Sequence, residues 1–366
     1  MLPELWQNVR RLLVIRLDNI GDIVMIGPAL RVLRQALPAA RITLMASPAG
    51  SQVAPLLPWI DEVLVHRALW QDASGSMGLD PAAELDLVAA LRARAFDAAV
   101  IFTSFSQSPY PPAYVCYLAG IPIRVGQSKE FGGSVLSQWV KPLSDGAHQV
   151  DRNLFLLEQA GFALAGRRLE LCLPGAAQEA AARQLAALGL APEAPFIVLA
   201  SGASCPARRY DVHRFAAVAR ALAAETTWPV VVVGSARETE FVAPILAAGP
   251  PGRILSLAGQ TSVPELAAVI ARSRLVLAND SGPMHLADAT GRPMIILYSG
   301  TELEEQWRPR SAPARLLRRA TACSPCYRFE CPYHMECLDI APVEVVAAAL
   351  DLLAKTGATQ PMSLAS

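Results

Sequence analysis

The chain has 366 residues, more than one hydrophobic core readily organises, so two domains are expected. Hydrophobic residues make up 53% and charged residues 17%, which excludes a disordered chain. The 32 Lys and Arg balance 32 Asp and Glu, so the global basic field of a nucleic-acid-binding protein is absent.

The first eleven residues are few and carry Pro3, Glu4 and Trp6. The apolar run Leu12–Leu17 behind them is only of strand length and contains Arg16, so the start does not read as a secretion signal. No stretch approaches the roughly 18 apolar residues of a membrane span. The expectation is a cytoplasmic protein, with peripheral contact at the inner face of the cytoplasmic membrane left open.

Leu12–Leu17 is the first expected strand and Ile23–Ala36 its helix, stopped by Pro38. Strands follow at Arg41–Ala46 and Glu62–His66, then a helix at Pro81–Ala95 and a buried strand at Asp97–Phe102. Ser104–Pro112, rich in Ser, Pro and Tyr, reads as a loop at a strand end. Asp151–Gly161 reads as a helix with a glycine C-cap. A second series begins after the turn at Pro174–Gly175. It comprises a helix at Ala176–Leu188, a strand at Pro195–Ala200, a helix at Val212–Ala224, a strand at Pro229–Val233 and a helix at Glu238–Leu246. Ile254–Leu257 is a short strand and Pro264–Ala271 a helix. Strands Arg274–Ala278 and Pro293–Tyr298 flank a short helix that starts near Gly282, and Val343–Ala354 closes the series as an amphipathic helix. Strands alternating with helices predict parallel sheets with crossover helices. The expected organisation is α/β: a doubly wound unit over 1–175, a second over 176–340, and a C-terminal helix and tail over 341–366. Two such units leave a cleft between them, faced by the loops at the C-terminal strand ends.

Four segments at such strand ends carry chemistry. In Arg16-Leu17-Asp18-Asn19-Ile20-Gly21-Asp22, Gly21 permits a tight backbone approach and Asp22 falls at a helix entry. A carboxylate there is either a cap for free N–H groups or a general base at the mouth of the cleft. Ser201-Gly202-Ala203-Ser204-Cys205-Pro206-Ala207-Arg208-Arg209 combines small residues, which let backbone approach a ligand, with two guanidinium groups suited to a diphosphate. The bland alternative is a solvated loop with surface arginines. Gly234-Ser235-Ala236-Arg237-Glu238 ends in a carboxylate that could accept from ribose hydroxyls or simply start a helix. Asn279-Asp280-Ser281-Gly282-Pro283-Met284-His285 is a strand, small-residue turn and helix N-terminus, the geometry of an anion site, with Pro283 in the first turn. His285 follows one turn on; a lone His is more often structural and gains weight here from its neighbours. A dehydrogenase would need Gly-x-Gly-x-x-Gly after the first strand, and Arg16–Asp22 has one glycine.

Taken in order, these residues resemble glycosyltransferase family 9, the heptosyltransferases of lipopolysaccharide assembly. The matching segments are Arg16–Leu30, Pro206–Phe215, Leu257-Ala258-Gly259-Gln260-Thr261-Ser262 and Asp280–His285, and the similarity spans about residues 11 to 350. The resemblance implies a GT-B fold of two Rossmann-like domains, with the donor held mainly by the C-terminal one. It implies inverting transfer that needs no metal or other catalytic cofactor, from a nucleotide-diphospho-sugar, usually ADP-heptose, to a glycolipid or glycan acceptor of the lipopolysaccharide-core type. By position, Asp22 would be the base and Arg208 would neutralise the leaving diphosphate. Ser201, Gly202, Ser204, Arg209, Glu238, Asp280, Ser281, Gly282 and His285 would surround the donor, with Glu238 on the ribose. Whether Arg208 or Arg209 reaches the phosphates is open. Many family members carry a His just before the phosphate loop; this chain has Ala200, followed by Ser201 rather than Pro, so the sugar need not be heptose. The alternatives are a family-9 enzyme using another nucleotide sugar for another surface glycan or protein acceptor, and a non-catalytic glycan-binding relative; the presence of Asp22 argues against the latter.

Seven cysteines occur, and Cys323, Cys326, Cys331 and Cys337 cluster near the C-terminus. Four thiols match the ligand count of a tetrahedral structural zinc or iron site, which would leave no open catalytic position. In a cytosolic setting such clusters more often bind metal than form disulfides. The spacing is not that of a standard zinc finger, so two disulfides and free thiols are the other readings.

Overall fold

The computed structural model describes residues 2–72 and 75–357. The chain divides into two compact units, one ending at Cys172 and the other beginning at Leu173.

The first unit holds strands β1 (Arg11–Arg16), β2 (Arg41–Ala46), β3 (Glu62–Val65), β4 (Ala98–Ile101), β5 (Ile123–Gln127) and β6 (Gln138–Val140). They form one parallel sheet in the order β3-β2-β1-β4-β5-β6. The second unit holds β7 (Ile197–Ala200), β8 (Val230–Val233), β9 (Ile254–Ser256), β10 (Leu275–Asn279), β11 (Met294–Leu297) and β12 (Ala314–Leu317). Its sheet runs β12-β11-β10-β7-β8-β9, again parallel. The first sheet has the order 3-2-1-4-5-6 of a dinucleotide-binding fold, and the second reads 6-5-4-1-2-3 from its own first strand, the same order taken from the other edge. Each therefore reverses direction beside its first strand, between β1 and β4 and between β7 and β10. The loops leaving the C-terminal ends of those strands are the places where such sheets bind ligands.

Helices cover both faces of the central strands, which is why these strands read as unbroken apolar runs instead of alternating ones. Leu12, Leu13, Val14 and Ile15 in β1, and all four valines of β8, are buried. The closing helix Pro342–Lys355 is built into the second unit: Val345, Val346, Ala349, Leu352 and Leu353 share a core with Tyr210, Phe215 and Leu222. The last part of the expected tail, 358–366, lies outside the described residues. Among the described residues no helix is long and apolar enough to cross a membrane.

Several elements depart from the sequence expectation. The single helix expected at Ile23–Ala36 is two, Ile20–Met25 and Gly27–Ala36, restarting where Pro28 suits a first helical turn. The Glu238–Leu246 helix is reduced to the 3-10 turn Ala236–Glu238 and the short helix Ala243–Leu246, since Pro244 removes a donor. The expected loop Ser104–Pro112 gives way at Tyr110 to the helix Tyr110–Leu118, because prolines 111 and 112 fall in its first turn, where no donor is needed. Strand β5 was hidden by Arg124. That side chain is buried, but its guanidinium is satisfied by the carbonyls of Val135 at 2.7 Å, Pro122 at 3.0 Å and Ser134 at 3.1 Å.

Candidate active site

In the first unit, Arg16 ends β1 and is fully buried, 0% exposed. Its Nη2 donates to Asp22 Oδ1 at 2.6 Å and to Ser104 Oγ, in the loop after β4, at 2.7 Å. Its Nε lies 2.8 Å from Asp18 Oδ2 as an ion pair. Gln107 donates to the other Asp18 oxygen and, at 3.1 Å, to Gln71 Oε1. Asp22 Oδ2 accepts the Asn19 N–H at 3.1 Å, so the carboxylate does cap its helix. Capping does not exhaust it, because a carboxylate has about four lone-pair sites and only two are engaged by these bonds. Burial raises the Asp18 carboxyl above its ordinary value, with Arg16 opposing and the Asp22 charge adding. Two carboxylates around one buried guanidinium thus differ in environment: Asp18 is held by Gln107 and Arg16, while Asp22 stands at the helix entry.

In the second unit, three loops leaving β7, β10 and β11 converge. Arg208 Nε donates to Thr301 Oγ1 at 3.1 Å, and its Nη2 lies 2.8 Å from Glu302 Oε1. Burial works against the Arg208 charge, but the Asp280 and Glu302 carboxylates more than offset it and hold the guanidinium above its ordinary value. Arg209 behaves differently. Its Nε and Nη2 donate to the Ala203 carbonyl of its own loop at 3.2 and 3.0 Å, and it lies over the Phe241 ring at 5.8 Å. The two arginines that look equivalent in sequence are thus divided: Arg208 is directed to the Asp280 turn, and Arg209 braces the loop.

Asn279, the last residue of β10, stitches this region together. Its Nδ2 donates to the Ser201 carbonyl at 2.6 Å and its Oδ1 accepts the Tyr210 N–H at 3.0 Å. The Ser201 hydroxyl is buried and has no hydrogen-bond partner among the described residues. Ser204 is exposed at the tip of the loop. Glu238 Oε2 accepts the Ser235 N–H at 2.7 Å, which is the helix-start role. The same carboxylate also lies against Gly202: a Cβ built there would sit 1.6 Å from Glu238 Oε1. Small size at 202 is therefore what allows the two loops to meet. Ser281 caps nothing with its side chain; its hydroxyl donates to the Asn279 carbonyl at 3.2 Å. The helix Gly282–Ala289 begins there, with Pro283 in its first turn and His285 buried.

The cysteine segment folds back on these loops. Cys326 and Tyr327 N–H groups donate to the carbonyls of Gly300 and Thr301 at 3.0 and 2.8 Å, and the Ala207 N–H donates to Phe329 O at 3.0 Å. The segment therefore supports both Arg208 and its partner Thr301. All four thiols are unpaired, so the two-disulfide reading is not the arrangement seen. Burial raises the Cys337 thiol, and the neighbouring charges of Cys331, Cys323 and Cys326 add to the rise, so the four lie within electrostatic reach of one another. Among the described residues, however, no three His, Cys, Asp or Glu side chains are drawn together as a metal cage.

Sequence reasoning passed over Arg16, Asp18, Ser104, Gln107, Asn279, Thr301 and Glu302. A charged residue closing an apolar strand was the available signal for Arg16. Nothing local marked Thr301 or Glu302, which meet Arg208 from far along the chain.

Two parallel doubly wound sheets, each gathering charged side chains beside its first strand, define the GT-B class of glycosyltransferases. The model of glycosyltransferase family 9 (heptosyltransferase) matches residues 85–336, and the chain belongs to that family. It is 29% identical over 359 residues to lipopolysaccharide heptosyltransferase 2 of Salmonella typhimurium, covering 95% of this chain and 99% of that protein. Among solved structures it is similar to Escherichia coli ADP-heptose lipopolysaccharide heptosyltransferase II, with a TM-score of 0.74 and 25% identity over 95% of this chain and 99% of that one. A family 9 glycosyltransferase from Veillonella parvula shares the fold at a TM-score of 0.75 and 23% identity, covering 94% of this chain and 97% of that one. The protein is a glycosyltransferase.

Proposed function

We propose that the protein transfers heptose from ADP-heptose to a lipopolysaccharide-core acceptor, with inversion and without a catalytic metal, at the cytoplasmic side of the membrane. The observation that carries the donor half is the Arg208 constellation: one half-buried guanidinium held by Thr301 and Glu302 beside Asp280, at a helix N-terminus. The choice of heptose over another sugar is supported by the full-length similarity to heptosyltransferases.

In this reading the second unit, with its loops at 201–209, 234–238 and 280–285, binds the donor, and the first unit serves the acceptor. Asp22 takes the proton from an acceptor hydroxyl. The resulting oxygen attacks the anomeric carbon from the face opposite the diphosphate, and the bond from that carbon to the diphosphate breaks. Arg208 and the helix end at Gly282 neutralise the charge that develops on the departing ADP. Glu238 accepts from ribose hydroxyls, and Ser201, Gly202, Ser204, Ser281 and His285 line the donor, with Arg209 bracing the loop. Membrane contact is peripheral. The four thiols at 323–337 are proposed as a structural zinc or iron site, supported by their number and type, with no part in the reaction. Metal analysis of protein purified under reducing conditions should find about one ion per chain; none bound rejects that part.

The donor assignment is tested by a thermal-shift panel of ADP-, GDP- and UDP-sugars. A ligand at a hundredfold its Kd stabilises by about 2.7 kcal/mol, so ADP-heptose should raise Tm and the others should not. Selective stabilisation by a GDP- or UDP-sugar would overturn the donor assignment.

A further inference from the structure

Arg208 has more acidic partners than its single charge requires. Burial opposes that charge, and every side chain that acts on it electrostatically is acidic: Asp280 first, then Glu302, Cys205 and Tyr298. The carboxylate in direct contact is nevertheless that of Glu302, whose Oε1 lies 2.8 Å from Nη2. The neighbouring cation gives no relief, because the Arg209 guanidinium is spent on the Ala203 carbonyl at 3.2 and 3.0 Å. One guanidinium thus stands against two carboxylates before any ligand arrives.

The Glu302 carboxylate is not what holds this region in place. Its loop is fixed by backbone, since the Gly300 and Thr301 carbonyls accept the Cys326 and Tyr327 N–H groups at 3.0 and 2.8 Å. The Ser299 and Thr301 hydroxyls bond to each other at 3.0 Å, and Thr301 Oγ1 anchors Arg208 Nε at 3.1 Å. Asp280 leaves the guanidinium matched even without Glu302. The Glu302 side chain is 23% exposed, so it can turn into water without stranding a buried charge. A phosphate oxygen gripped by the same guanidinium would come within about 6 Å of this carboxylate. Like charges at that range repel appreciably in a half-exposed site, and salt weakens the repulsion.

We propose that Glu302 is an internal competitor for Arg208: its carboxylate holds the guanidinium while the diphosphate site is empty and is displaced when a diphosphate binds. The affinity for donor and product is then a difference between two anions on one cation. The inference rests on the donor site of the proposed function and adds a role to it. A sugar-linked diphosphate carries two negative charges, whereas the nucleoside diphosphate left after transfer gains a third on its freed terminal phosphate. The carboxylate therefore penalises the product more than the donor and speeds product release. Glu302 touches no reacting atom in this scheme; it tunes how long Arg208 keeps its ligand.

The test is calorimetric binding of ADP to the full-length protein at low salt, in the wild type, Glu302→Gln, Glu302→Ala and Arg208→Gln. Glu302→Gln should bind ADP about tenfold more tightly, with the gain mostly in slower dissociation. A gain in affinity is an outcome that damage to the fold does not produce. Glu302→Ala should gain in the same direction. The gain should shrink as salt rises to about 1 M, where the screening length falls to about 3 Å. Unchanged or weaker ADP binding in both Glu302 variants would overturn the proposal. Failure of both to fold would overturn it too, since Glu302 would then be a structural residue. Arg208→Gln separates this proposal from the donor reading. If that variant loses ADP affinity while the Glu302 variants gain none, only the competitor is refuted. If the wild type binds no ADP, or Arg208→Gln binds it undiminished, the donor site itself is refuted and the competitor with it.

Discussion

Gly202→Ala is a substitution whose consequences can be worked from geometry. The added Cβ would lie 1.6 Å from Glu238 Oε1 and 2.5 Å from its Cδ, so the two cannot coexist. Asn279 holds the backbone on either side of this point, donating to the carbonyls of Ser201 at 2.6 Å and Gly202 at 3.4 Å. The partner that can yield is the tip of Glu238, which must swing away and surrender the Ser235 N–H it accepts at 2.7 Å. Losing that helix-start bond costs about 0.5–2 kcal/mol, so the variant should fold with Tm lowered by a few degrees. If the carboxylate also holds ribose hydroxyls, its removal costs roughly 1.5–3 kcal/mol of donor binding, about 10- to 150-fold in donor KM with kcat little changed. The assay is a double-mutant cycle with Glu238→Ala, read as donor KM in steady-state transfer. Once Glu238 is truncated, the methyl group added at position 202 no longer meets a carboxylate. The two single variants should then be nearly equal, and the double variant no worse than either. Losses that simply add, or an unchanged donor KM in Gly202→Ala, would refute the argument.

Asp22→Asn keeps a side chain able to accept from the Asn19 N–H but removes the base. Its kcat should fall by about 10²- to 10⁴-fold, with ADP-heptose still raising Tm as in the wild type; unchanged turnover would remove Asp22 from the role. The two neighbouring arginines should separate kinetically. Arg208→Gln should lower kcat by about 10²- to 10³-fold, whereas Arg209→Ala, which loses a brace to the Ala203 carbonyl, should cost no more than about fivefold. Equal losses from the two would contradict the division of roles seen in the second unit.

Much of this protein was legible locally. The apolar runs at Arg41–Ala46 and Val230–Val233 stand as strands within a residue of their expected ends, and Asp280–His285 was recognisable as a turn into a helix. A strand or helix start is determined by a handful of consecutive residues, through burial period, proline and caps, so sequence is sufficient there. Where a local rule was broken by a distant partner, the reading failed. Arg124 lies buried within β5 because carbonyls from a later loop satisfy it. Arg152 sits in an ordinary-looking helical turn yet is buried over the Phe105 ring. The same limit left Arg208 and Arg209 indistinguishable in sequence. They are separated by Thr301, 93 positions from Arg208, which reaches it because the chain orders its strands β11-β10-β7 and so brings three loops to one sheet end. Sequence by itself determined the class of elements and the types of group at their ends. Which of those groups share a charge, a donor or a buried space was decided only by the packing of the sheets, because such pairings depend on strand order and long-range burial that no window of neighbouring residues contains.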